Sequence, residues 1–141
     1  MIATSHPPRL HDTLLAKEVM DTEIGTIYFY DNILVMEGKE NAIFSIKTGI
    51  FILLKVIKMV GTKPVVYISN RINSYSIDPN DYKYLEMIPN LKGIATVSYN
   101  NITKSSAELE QKFFKKPFRD FESLDDAKFW AMEVLEGKSI L

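Results

Sequence analysis

The sequence contains no cysteine. That absence removes disulfide frameworks, thiol catalysis and cysteine–zinc sites together. Charge of one sign is also lacking. The formal net charge is −1, so no global field draws in nucleic acid or an anionic membrane. Long apolar runs are missing too. The most apolar stretch, Ile50 to Val60, carries Lys55 and Lys58 and stops at Gly61, too short and too charged for a membrane span. The opening MIATSHPPRLHD holds two prolines and no apolar centre, unlike a signal peptide. A cytoplasmic protein without integral membrane association is expected. There is no Gly-x-Ser-x-Gly elbow, and no histidine stands where it could act as a base for a serine. Val60-Gly61-Thr62-Lys63 lacks the first glycine of a phosphate loop and follows a helix rather than a strand. The sequence therefore predicts a protein that is not an enzyme and needs no cofactor.

What is present suits one domain. The chain has 141 residues, 46% of them hydrophobic and 25% charged, enough for a core without metals or disulfides. Residues 1–10 read as a flexible tail because Pro7 and Pro8 deny a helix, and residues 11–141 as a single domain. Residues 11–20 fit either a short helix or an extra edge strand.

Thr26 to Asp31 and Ile33 to Glu37 are rich in β-branched and aromatic residues and flank turn chemistry at Asp31-Asn32, which predicts a hairpin. Asn41 is placed to cap a helix from Ala42 to Val60, stopped by Gly61. Ile43, Ile46, Ile50, Leu53, Leu54, Ile57 and Val60 mark its expected core face. Val65 to Ser69 fits a strand buried on both faces. Asp78-Pro79 starts a short helix that Pro89-Asn90 ends. Ile94 to Tyr99 is a strand, and Thr103 to Phe114 a helix with Ala107, Leu109 or Glu110, and Phe113-Phe114 on successive turns. Pro117 to Phe121 is an edge strand, since proline cannot donate within a central one. Ser123 and Asp126 resemble a capping box for a last helix, Leu124 to Glu136, which buries Leu124, Ala127, Phe129 or Trp130, Ala131, Val134 and Leu135. The fold class is thus α/β: a mixed sheet with an N-terminal hairpin, then alternating helices and strands, flanked by helices.

This order resembles the STAS domain and, more closely, its SpoIIAA-like relatives, over residues 21–136. The closing segment FFKKPFRDFESLDDAKFW carries the likeness in Phe118, Phe121, Asp125, Asp126, Ala127 and Trp130. The resemblance implies a small mixed sheet with helices on its faces and a largely non-catalytic role, regulatory or ligand-binding. SpoIIAA-like folds also resemble CRAL-TRIO-type lipid-carrier domains. A STAS regulator is phosphorylated on a serine in an Asp-Ser-Ser-Gly-type motif at the helix start after the third strand. Ser74 or Ser76 falls near that place, as possible phosphorylation sites, but the Asp and Gly partners are missing, which speaks against an anti-sigma-factor antagonist.

Two segments are candidate partner sites. Asn70, Arg71, Asn73, Ser74, Tyr75 and Ser76 form a dense run of hydrogen-bonding groups between a central strand and a helix, where open α/β sheets bind ligands. Alternatively, these residues only shape the loop. Phe44, Lys47, Phe51, Lys55 and Lys58, with Thr48, form a second candidate interaction face along the long helix. The alternative there is that the phenylalanines tuck under neighbouring chain. His6 and His11 make a poor metal site, and Asp120, Glu122, Asp125 and Asp126 read as capping and solubility. The tyrosines lack the basic stripe that would hold a nucleic-acid backbone. The leading expectation is a regulatory or protein-interaction module, monomeric or weakly dimeric. The alternative is a carrier of a lipid or other apolar small molecule held between helix and sheet.

Overall fold

Strands form first where β-branched and aromatic residues cluster. Glu18–Asp21 (β1), Gly25–Tyr30 (β2) and Ile33–Gly38 (β3) make an antiparallel ribbon, as described by the computed structural model, which covers residues 16–137. The β2–β3 turn places Asp31 at a φ of 51°, a left-handed conformation that aspartate tolerates. Of the two expectations for residues 11–20, the edge strand is the one found at Glu18–Asp21. Residues 11–15 lie outside the described residues, as do the expected tail and both His6 and His11.

Val65–Arg71 (β5), Leu91–Ser98 (β7) and Phe118–Phe121 (β8) then add in parallel, giving the order β1-β2-β3-β5-β7-β8. Central β5 and β7 are buried on both faces, with Val66, Ile68, Ile94, Ala95 and Val97 inaccessible to solvent. The last strand is the expected edge, pinned to β7 by Asp120, which accepts from Thr96 and Ser98 hydroxyls at 2.6 Å each.

Four α-helices are described: Ile46–Val60 (α1), Tyr82–Glu86 (α2), Asn101–Glu110 (α3) and Leu124–Leu135 (α4). Ser123 caps α4 through the Asp126 amide. Leu124, Ala127, Trp130 and Ala131 of this helix pack on Val35, Val66, Ile68 and Val97. Small alanines let its backbone lie close to β5 and β7. Trp130, not Phe129, is the buried aromatic, with Phe129 left 66% exposed. The side chains of α1 and α2, with Phe114 beyond α3, meet the opposite face of the sheet, against Leu34, Met36, Tyr67 and Ile94. The backbone of α1 does not approach that sheet as α4 does.

The start of α1 differs from expectation. Asn41 does not cap it. Asn41 sits at a φ of 65°, and Ile43–Phe44 form a short strand (β4) paired in parallel with Ser76–Ile77 (β6). Ser45 is the cap: its Oγ accepts from the Thr48 amide at 3.4 Å, while its own amide donates to Thr48 Oγ1 at 3.1 Å. Asp81 closes the remaining gap by accepting from the Ile46 amide at 2.8 Å. The core face shifts accordingly. Ile43 and Leu54 are exposed, and Val56 is the buried residue of the helix.

The cap assignment gives a direct test. Ser45→Ala lowers unfolding stability by about 1 kcal/mol in urea titrations. Asn41→Gly, at a left-handed position, stays within about 0.5 kcal/mol of the parent.

Candidate functional site

The polar end of β5 splits between two faces because strand side chains alternate. Tyr67, Ser69 and Arg71 point toward α1–α3. Asn70 shares the α4 face with Val66 and Ile68. There its amide donates to Glu37 at 3.0 Å and its oxygen accepts from the Tyr99 hydroxyl at 2.6 Å.

Arg71 is buried and carries a bidentate ion pair with Glu110 at the end of α3, at 2.8 and 2.5 Å. Glu110 also accepts from Tyr82 Oη at 2.6 Å and Ser106 Oγ at 2.8 Å. The Arg71 Nε donates to Ser69 Oγ at 3.1 Å, and Ser69 meets Tyr75 Oη at 2.6 Å. Burial opposes the Arg71 charge, but the hydrogen bonds and charge of Glu110 outweigh it and hold the guanidinium protonated. Burial pushes the phenols of Tyr67, Tyr75 and Tyr82 upward.

Of the six candidate residues, Asn70 and Arg71 therefore turn inward to internal partners. Asn73 donates to the Gly38 carbonyl at 3.0 Å. Tyr75 stacks on Phe44 at 4.5 Å, in a space that Gly38 keeps open, since a Cβ there would stand 2.7 Å from the Tyr75 ring. Ser74 and Ser76 are exposed, while their backbones clasp Asn41 and Ala42. The second candidate face loses Phe44, which belongs to β4 and not to the helix, because Ile43-Phe44 extend to pair with β6. Phe51 is 77% exposed, with Lys47, Lys55 and Lys58 also exposed.

The space between α1 and the sheet is where the carrier alternative places its ligand, without naming residues. It is a pocket of about 200 Å³, partly open to solvent. Its walls are almost wholly apolar: Ile52, Val56 and Val60 from α1, Leu34 and Met36 from β3, and Leu85 from α2. Tyr67, Ser69 and Tyr82 bring the edge of the Arg71–Glu110 cluster to one side. Such a volume exceeds the ~150 Å³ of an apolar cavity that takes a benzene ring. Glu110 is the acid on which the polar cluster converges. Its signal was an acid at core spacing from Ala107, which calls for a buried cation.

The described fold matches the crystal structure of an uncharacterized protein from the DUF3478 family with a SpoIIAA-like fold from Shewanella loihica. The TM-score is 0.51 at 12% identity, covering 81% of this chain and 90% of that one. The chain thus has a SpoIIAA-like α/β fold. No family model matches the sequence, and no curated protein does. No described helix is long and apolar enough to cross a membrane.

The ion pair gives two expectations. Glu110→Ala costs about 3–5 kcal/mol in denaturant unfolding, because it strands a buried guanidinium, whereas Arg71→Met with Glu110→Leu recovers most of that loss. The pH dependence follows from the phenols. Their folded pKa values lie above the ordinary 10.0, so the unfolded chain releases these protons first. Stability is intact below pH 10.0 and falls as pH rises beyond it. Tyr82→Phe makes the fall shallower in unfolding titrations run at a series of alkaline pH values.

Proposed function

We propose that this protein is a non-catalytic binding module that holds an apolar small molecule between α1 and the sheet. The observation that carries the reading is the cavity itself, about 200 Å³ with nearly all of its wall apolar. A helix lying on a sheet ordinarily closes such a gap, because interiors pack at crystal-like density. Apolar walls held apart across an open gap forgo dispersion contacts with each other that a ligand supplies. Large apolar pockets with a few polar groups are the usual form of small-molecule sites. The polar groups beside the cavity are paired with one another, which supports holding a ligand over transforming one.

A second reading, a regulatory protein-interaction role, is favoured by Phe51. A phenylalanine 77% exposed among lysines is a plausible anchor for a partner surface. It uses the outward face of α1, so the two readings separate by mutation.

Gly49 provides the test. It lines the cavity, and a Cβ there finds its nearest neighbour, Ile24 Cδ1, at 4.0 Å. Gly49→Leu gains about 1 kcal/mol of helix propensity while projecting into the ligand space. Binding of the fluorescent probe N-phenyl-1-naphthylamine weakens at least about tenfold, a loss of 1.4 kcal/mol, while the unfolding midpoint rises. Phe51→Ser leaves probe binding unchanged. A parent protein that binds no probe, and that carries no small molecule in native mass spectrometry, defeats the cavity reading.

A further inference from the structure

The chemistry of the cavity wall says more than that it is greasy. Among the described residues, no lysine, arginine or histidine lines it. The cations just behind the wall are engaged elsewhere: Arg71 donates to Ser69 with both arms of its guanidinium taken by Glu110, and Lys116 donates to the Ile88 and Leu91 carbonyls at 2.6 and 2.9 Å. A ligand carboxylate would have to displace a buried carboxylate held by four hydrogen bonds. The other place an anion could settle is the N-terminus of α1, where free amides and the helix dipole attract negative charge. Ser45 and Ile46 of that end line the cavity, but Asp81 already fills the position by accepting from the Ile46 amide at 2.8 Å.

The wall's own charges are two carboxylates, Asp78 and Asp81. Asp78 accepts from the Asn80 amide at 3.1 Å, so each is matched to backbone dipoles at a turn or helix start. They repel an anionic head; a cationic head is attracted by the same charges but must shed water to follow its chain into the apolar body. An ion of either sign drawn into the apolar body loses hydration that no counter-charge there replaces. A hydroxyl fares differently. It can share the Ser69 and Tyr67 groups at the polar side, giving and accepting hydrogen bonds without a net charge.

Resting on the cavity reading above, we infer that the site selects uncharged ligands. The occupant is a medium-chain alcohol, or a neutral ring compound of roughly ten non-hydrogen atoms given the ~150 Å³ that suits benzene, rather than a fatty-acid anion or an amine.

Three molecules of one chain length test this: 1-decanol, decanoate and decylamine. At about pH 8 the acid is ionised and the amine protonated. Each is titrated into the intact protein against N-phenyl-1-naphthylamine, with calorimetry as a second measure. Decanol binds at least about tenfold more tightly than either ion, a margin of 1.4 kcal/mol. Asp78→Asn with Asp81→Asn keeps both backbone acceptors and removes both charges, so decanoate gains several-fold while decanol is unmoved. Decanoate or decylamine binding as well as decanol overturns the selectivity and leaves the cavity reading standing. A decanoate affinity unmoved in the double variant also counts against the charge argument. Failure of all three molecules and of the probe overturns the cavity reading and this inference with it.

Discussion

A guanidinium buried against a carboxylate is the constraint around which the α1–α3 side of this fold is arranged. Arg71 ends β5 and Glu110 ends α3, and neither can be left alone in a low-dielectric interior. Tyr82 brings α2 to the same carboxylate, and Ser69 and Tyr75 bring in the loop that follows β5. One charge pair thereby fixes where two helices and a connection sit relative to the central strand. The arrangement has a cost in apolar contact, because groups gathered around a charge pair are not available to fill the space beneath α1.

The two faces of the sheet consequently differ. On the α4 face, Ala127 and Ala131 have no exposed surface, and the helix settles close to β5 and β7. On the other face, α1 presents Ile52, Val56 and Val60, and stands farther off. Its ends are secured, by Ser45 and Asp81 at the start and by Gly61 at the close, where the amide of Gly61 donates to the Ile57 carbonyl at 3.0 Å. Fixed ends with only long side chains bridging to the sheet between them are what permit an apolar space beneath the helix.

Much of this was legible in the sequence, and the failures have specific causes. The hairpin, the buried β5, the proline-marked edge and the last helix all follow from local patterns that tertiary contacts reinforce. Ile43-Phe44 fit the helical spacing of Ile46 and Ile50 and also favour strand, and the partner that decides between these, Ser76-Ile77, lies far along the chain. Arg71 looked free because its partner, Glu110, is 39 residues away. The choice between Leu109 and Glu110 went to the acid for the same reason: periodicity ranks hydrophobicity, and a buried pair reverses the ranking. The cavity had no local signature. Its existence depends on how far α1 stands from the sheet, a distance set by several elements at once.

Loose packing also has a mechanical meaning. Unfolding removes packing defects and so reduces the total volume of protein and water, which hydrostatic pressure rewards. The α1 side, where the helix stands off from the sheet, carries more of that volume change than the tightly seated α4 side. Compression should therefore loosen α1 before it disturbs the opposite layer, and any occupant of the space would make the molecule respond more evenly.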